Sequence, residues 1–186
     1  MTTNYGLPLI LEDQSGDIAG SEFKDIYDRM SFSLRCTRND PSQTVFMICD
    51  HTLSSASSRA GLSVPVACLT FGANHALGTV KIGDGSTMDM AVYLSRVGRN
   101  PKARKFVASD GQEYRWTHRP GSTEVEYQCV NANGYEVASY TPKPAGEPAY
   151  TNSSGCSLTV EESYGTLAGE FLASLTIMRH MVKYNL

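Results

Sequence analysis

Between Asp89 and Asp110 the chain carries no acid, and Arg96, Arg99, Lys102, Arg104 and Lys105 place five cations in ten residues of that interval. Cations at this density attract phosphate or carboxylate groups. They are a candidate anion site for a phosphoinositide or a carboxylate-bearing ligand. The plain alternative is a solvated loop. A second candidate set is apolar: Tyr114, Trp116, Tyr127, Phe171 and Met178, with Met181. Aromatic rings and thioethers of this kind form walls of small-molecule cavities. The alternative for them is core packing.

Catalytic and metal-binding patterns are weak by comparison. His51, His75, His118 and His180 are scattered, without HxH or HExxH spacing. No GxSxG nucleophile turn occurs. Gly83-Asp84-Gly85 lacks the lysine and spacing of a phosphate loop. The acidic run from Glu12 to Asp17 resembles part of a calcium loop, but the twelfth position counted from Asp13 is Lys24, not glutamate. Asp84 and Asp89 could meet at a strand end and hold a divalent ion. With no catalytic constellation and no metal motif, the expectation is a non-catalytic binding protein. No metal or catalytic residue is assigned, and the cofactor stays open as a bound apolar ligand or pigment.

These residues need elements to position them. Asp110-Gly111 is a hairpin-turn dipeptide between two β-type runs. Tyr114 and Trp116 are two apart and share one strand face. A strict two-residue turn would put Phe106 on the opposite face. If Phe106, Tyr114 and Trp116 all enter the core, the turn must be longer or bulged.

Further strands are expected near residues 7–11, 30–36, 44–49, 64–71, 78–82, 87–94, 104–109, 112–118, 124–130, 135–140 and 157–161. Turn signals separate them, such as Asn39-Asp40-Pro41, Pro120-Gly121 and Asn133-Gly134. A short helix at Ser21–Asp28 with Ser21 as N-cap fits the pattern. Residues 53–63 and 141–155 read as loops rich in Ser/Ala and Pro/Gly/Ser. About eleven short strands with this punctuation predict a barrel or sandwich.

From Thr166 to Tyr184 the pattern changes. Leu167, Phe171, Leu172, Leu175, Ile177, Met178, Met181 and Val182 spread around most of a helix circumference. Such a helix must be buried on nearly all sides. The expectation is a sheet wrapped around it; the alternative is an amphipathic helix across a barrel mouth.

The run Phe106-x-x-x-Asp110-Gly111-x-x-Tyr114-x-Trp116, preceded by basic residues and followed by a β-run and a final apolar helix, resembles an uncharacterised domain family of mushroom-forming basidiomycetes. That family is similar to the tubby C-terminal and LURP-one domains. The resemblance covers the chain from about residue 85 to the end. It implies a closed antiparallel barrel of about twelve strands around a central hydrophobic helix. It also implies phosphoinositide binding, as in tubby domains, and no known enzymatic activity.

Composition bounds the rest. A chain of 186 residues fits one domain, taken here as residues 1–186. Its net charge of −3 argues against nucleic-acid binding. The five cysteines form no CxxC motif, and the first residues lack a secretory pattern, so a cytoplasmic protein with reduced thiols is expected. No transmembrane stretch is expected. Three functions remain. The first is a binder of an apolar small molecule, a lipid or polyene-type pigment. The second is a phosphoinositide-binding scaffold at anionic lipid. The third is an enzyme of unrecognised type.

Overall fold

The computed structural model describes residues 6–52, 63–120 and 125–186. Their strands are β1 (Leu9–Asp13), β2 (Gly20–Asp25), β3 (Ser31–Asp40), β4 (Gln43–Asp50), β5 (Val64–Gly72), β6 (Thr79–Ile82) and β7 (Met88–Asp89). After the one-turn helix α1 (Met90–Tyr93) come β8 (Ser95–Val97), β9 (Asn100–Val107), β10 (Glu113–Pro120), β11 (Val125–Asn131), β12 (Glu136–Thr141) and β13 (Cys156–Val160). A 3-10 segment, Glu162–Leu167, leads into α2 (Ala168–Tyr184).

All the strands join one antiparallel sheet, in the order β7-β6-β5-β4-β3-β2-β1-β13-β12-β11-β10-β9-β8. Strand neighbours are sequence neighbours except at β1–β13, where the two ends of the chain meet. Leu9 pairs with Val160 and Asp13 with Cys156 there. Burial alternates along both of these strands, as a pleated sheet with one covered face requires.

The sheet is open: β7 and β8 are its edges, and no ladder joins them among the described residues. They are consecutive in the chain, so α1 alone spans the seam. Asp89 starts this turn by accepting the Ala91 N–H at 2.7 Å. Met90, Tyr93 and Leu94 are buried beneath it.

Helix α2 is buried along its whole circumference, with 13 of 17 residues inaccessible, which separates a central helix from an amphipathic one lying across a mouth. Leu175 and Ile177, on opposite sides of the helix, are both 0% exposed, and Met178 is 2% exposed. Strands from both halves of the sheet reach it. Phe71 of β5 stacks on His180 at 3.8 Å, and Tyr114 of β10 meets Phe171 edge-on at 5.2 Å. Tyr140 of β12 lies under the Arg179 guanidinium at 4.5 Å. Gly169 allows the closest approach, since a Cβ there would fall 2.4 Å from Val66 Cγ1. Helix α2 ends at Asn185, whose left-handed φ of 56° suits asparagine.

Two expected elements differ. The helix expected at Ser21–Asp28 is strand β2. Ser21, Phe23 and Asp25 are the buried positions of a two-residue alternation, and Ser21 Oγ donates to Asp13 instead of capping a helix. The strand expected at Thr87–Leu94 is the two-residue β7 plus α1, because Asp89 redirects the chain. The expected Ser/Ala-rich loop lies outside the described residues except for Ser63, as does the Pro120-Gly121 turn except for Pro120. No described helix is long and apolar enough to cross a membrane. All five cysteines are free thiols.

Candidate functional site at the C-terminal end of the central helix

The Asp110-Gly111 hairpin sets the register of the site. Ala108 N–H bonds to Gln112 O at 3.0 Å, and Gly111 takes a φ of 77°. Three residues, Ser109 to Gly111, therefore form the loop, one more than a strict two-residue turn. The extra residue pairs Tyr114 with Phe106 and Trp116 with Arg104. Phe106, Tyr114 and Trp116 consequently all face α2, and so does Arg104.

One strand position beyond Trp116 on that face is His118, paired with Tyr127 of β11. Lys102, Arg104 and His118 line a cavity of about 300 Å³. The last turns of α2 close it with Met178, Met181 and Val182, followed by Asn185 and Leu186. A basic group of side chains thus faces a largely apolar wall.

The electrostatics are unusual for a protein interior. Arg104 is 3% exposed, and its Nη1 has no hydrogen-bond partner among the described residues. Its Nη2 reaches the Leu186 main-chain oxygen only at 3.5 Å. No side-chain carboxylate among the described residues pairs with it. Burial, then the nearby Arg96 charge, lowers the affinity of Arg104 for its proton. His118 Nδ1 is likewise buried without a partner. Burial, then Lys102 and Arg104, holds His118 below the ordinary imidazole value. An uncompensated buried cation costs several kcal/mol, about 3–5 when one partner of a pair is missing. An anion placed in this cavity would offset that cost and could accept from both nitrogens.

The structure distributes the remaining candidates. Tyr114, Trp116 and Phe171 fill the core around α2. Tyr114 donates to Asp110 Oδ2 at 2.7 Å and Trp116 to Ser174 Oγ at 2.9 Å. Tyr127 lies over Tyr140, at 6.2 Å between centroids, and borders a neighbouring groove with Arg179. Of the apolar set, Met178 and Met181 border the basic cavity. Of the cations, Lys102 and Arg104 reach it. Arg96 and Lys105 border a separate groove, where Lys105 pairs with Glu113 at 2.7 Å. Arg99 is exposed in the β8–β9 turn. The sequence reading assigned no role in the site to His118, Val182 or Asn185. The two-residue alternation through Tyr114 and Trp116, carried one step further, points to His118.

Residues 31–182 match a family described as "Family of unknown function (DUF6593)". The chain belongs to this DUF6593 family. Lys102, Arg104, His118, Met178, Met181 and Val182 all lie within the matched residues of the DUF6593 chain. No curated protein and no solved structure matches it.

Proposed function

We propose that the protein is a non-catalytic binding protein for a small amphiphilic anion, a carboxylic acid with an apolar tail. The observation that carries this reading is Arg104: a buried guanidinium with no side-chain carboxylate partner among the described residues, facing a cavity walled by Met178, Met181 and Val182. The headgroup takes both nitrogens of Arg104 in a fork and accepts from His118. The tail lies on the methionines, where each buried methylene contributes about 0.8 kcal/mol. A volume of about 300 Å³ is at the small end of ligand sites, so the reading favours a short or medium-chain acid over a polyene pigment. In this reading the sheet serves as a tubby-like barrel closed across α1, and the protein works inside the cell.

A second reading, a phosphoinositide-binding scaffold, draws on the exposed cations Arg96, Arg99 and Lys102 of the β8–β9 hairpin. Calorimetric titration with octanoate, beside co-sedimentation with phosphoinositide vesicles, separates the two. Octanoate binding that weakens about tenfold or more in Arg104→Met, the loss of a charge-assisted pair, supports the first. Vesicle binding lost in Arg96→Ser/Arg99→Ser, with no octanoate binding, replaces it by the second.

A further inference from the structure

The opposite end of α2 carries another cavity, of about 550 Å³, beneath the seam that the sheet leaves unpaired. Val66 of β5 and Val80 and Ile82 of β6 line it together with Tyr93 of α1, and the exposed Val107 of β9 lies at its rim. The cavity exists because β7 and β8 do not pair. One turn of helix covers less width than a pair of hydrogen-bonded strands.

Two buried polar groups border it. Glu170, in the first turn of α2, is 7% exposed. Its carboxylate accepts the Ser109 N–H at 3.0 and 3.3 Å, and no ion pair among the described residues includes it. A carboxylate offers about four acceptor positions, and one amide satisfies one of them. The Tyr93 hydroxyl is buried and has no hydrogen-bond partner among the described residues. Burial, then the Glu170 charge, pushes the Tyr93 phenol up, so its proton stays in place. Asp84 adds a second acid, and among the described residues no Lys, Arg or His lines the cavity. The charge is therefore opposite to that of the cavity at the other end of α2.

We propose that this cavity is a second binding site, for a hydrophobic ammonium ion such as a protonated alkylamine. Its N–H groups bond to the Glu170 carboxylate and the Tyr93 oxygen, and its apolar body lies against Val66, Val80 and Ile82. A bare metal ion fits poorly. Hard cations need several converging oxygens, and no group of three or more His, Cys, Asp or Glu converges among the described residues. The apolar walls instead suit a carbon skeleton.

The test titrates octylamine, octanol and octanoate, which share one tail, into the full chain by calorimetry near neutral pH. Octylamine should bind with one molecule per chain, more tightly than octanol. Glu170→Gln should weaken octylamine about tenfold or more, the loss of one charge-assisted bond, while Arg104→Met leaves it unchanged. Octanol binding as tightly as octylamine overturns the proposal, as does octylamine affinity unaltered in Glu170→Gln. Should Glu170→Gln fail to fold by circular dichroism, Tyr93→Phe carries the test. That variant must weaken octylamine roughly threefold or more, and unchanged affinity overturns the proposal. The outcome is independent of the anion site, which octanoate reads separately.

Discussion

Trp116 Nε1 donates to Ser174 Oγ at 2.9 Å, and both residues are fully buried. The only tryptophan of the chain thereby ties the hairpin strand β10 to the middle of α2. Ser174 Oγ in turn lies 2.9 Å from Glu170 O and 3.1 Å from Phe171 O, so its own proton is used within the helix. Ser174→Ala leaves a buried indole N–H without an acceptor. The expected loss is about 1–3 kcal/mol, read as a lower urea midpoint with an unchanged m-value. Trp116→Phe/Ser174→Ala should cost less than the sum of the two single changes, which a double-mutant cycle measures.

Gly169 sits where α2 comes closest to β5, so helix propensity and packing oppose each other. Alanine is better than glycine inside a helix by about 1 kcal/mol. The added Cβ, however, would lie 2.4 Å from Val66 Cγ1 and 3.4 Å from Phe32. Overpacking of this kind costs about 1–3 kcal/mol, so Gly169→Ala should destabilise. Combining it with Val66→Ala should recover most of the loss. Thermal melts of the three variants check this, and a stabilising single change would contradict the close contact.

Asp13 is fully buried and accepts from Ser21 Oγ at 2.5 Å, Tyr140 OH at 2.8 Å, Gly16 N–H at 2.9 Å and Arg179 Nη1 at 3.3 Å. The cluster joins β1, β2, β12 and α2, and all its polar atoms are used locally, which marks it as structural. Arg179→Met should cost about 3–5 kcal/mol because it strands a buried carboxylate. Arg179→Met/Asp13→Asn should be more stable than Arg179→Met alone. Urea denaturation compares the pair.

His118 and His180 both titrate below the ordinary imidazole value of 6.5. Burial is the main cause for each. The charges of His75 and Lys183 add to it at His180, against an opposing hydrogen bond to the His75 carbonyl. Depressed folded-state values mean that the unfolded chain binds more protons as pH falls below about 6.5. Their contribution to stability is present above that pH and is lost as pH falls towards the folded-state values. Denaturation midpoints measured across this window should fall on acidification, with a shallower slope in His118→Gln and in His180→Gln. An anion bound beside His118 raises its proton affinity. Octanoate binding should therefore take up protons and tighten as pH falls towards 6.5, as calorimetry in buffers of different ionisation enthalpy would show.

Much of the architecture was legible because it depends on local periodicity. The two-residue alternation marks Tyr114 and Trp116 as one strand face. The all-round apolar run from Leu167 to Val182 demands burial on every side. Both follow from backbone geometry alone. The helix expected at Ser21–Asp28 gives way to a strand because a serine before a mixed run looks the same as a helix cap until its hydroxyl finds a distant partner, Asp13. The strand expected at Thr87–Leu94 gives way to a turn because Asp89, which reads as any polar strand residue, caps the Ala91 N–H.

A β-rich chain, a hairpin at Asp110-Gly111, an apolar helix that demands burial and a cluster of five cations are all written in local residue patterns. Which of those cations act together depends on the assembled sheet and helix. The fold sends Arg104 inward beside Lys102, His118 and Met178, leaves Arg99 in the open, and pairs Lys105 with Glu113. It also leaves the sheet unpaired between β7 and β8, with Glu170 and Tyr93 below the seam. The physical reason is range. Strand and helix periodicities act over a few residues, whereas the burial of a charge depends on which distant segments exclude water from it.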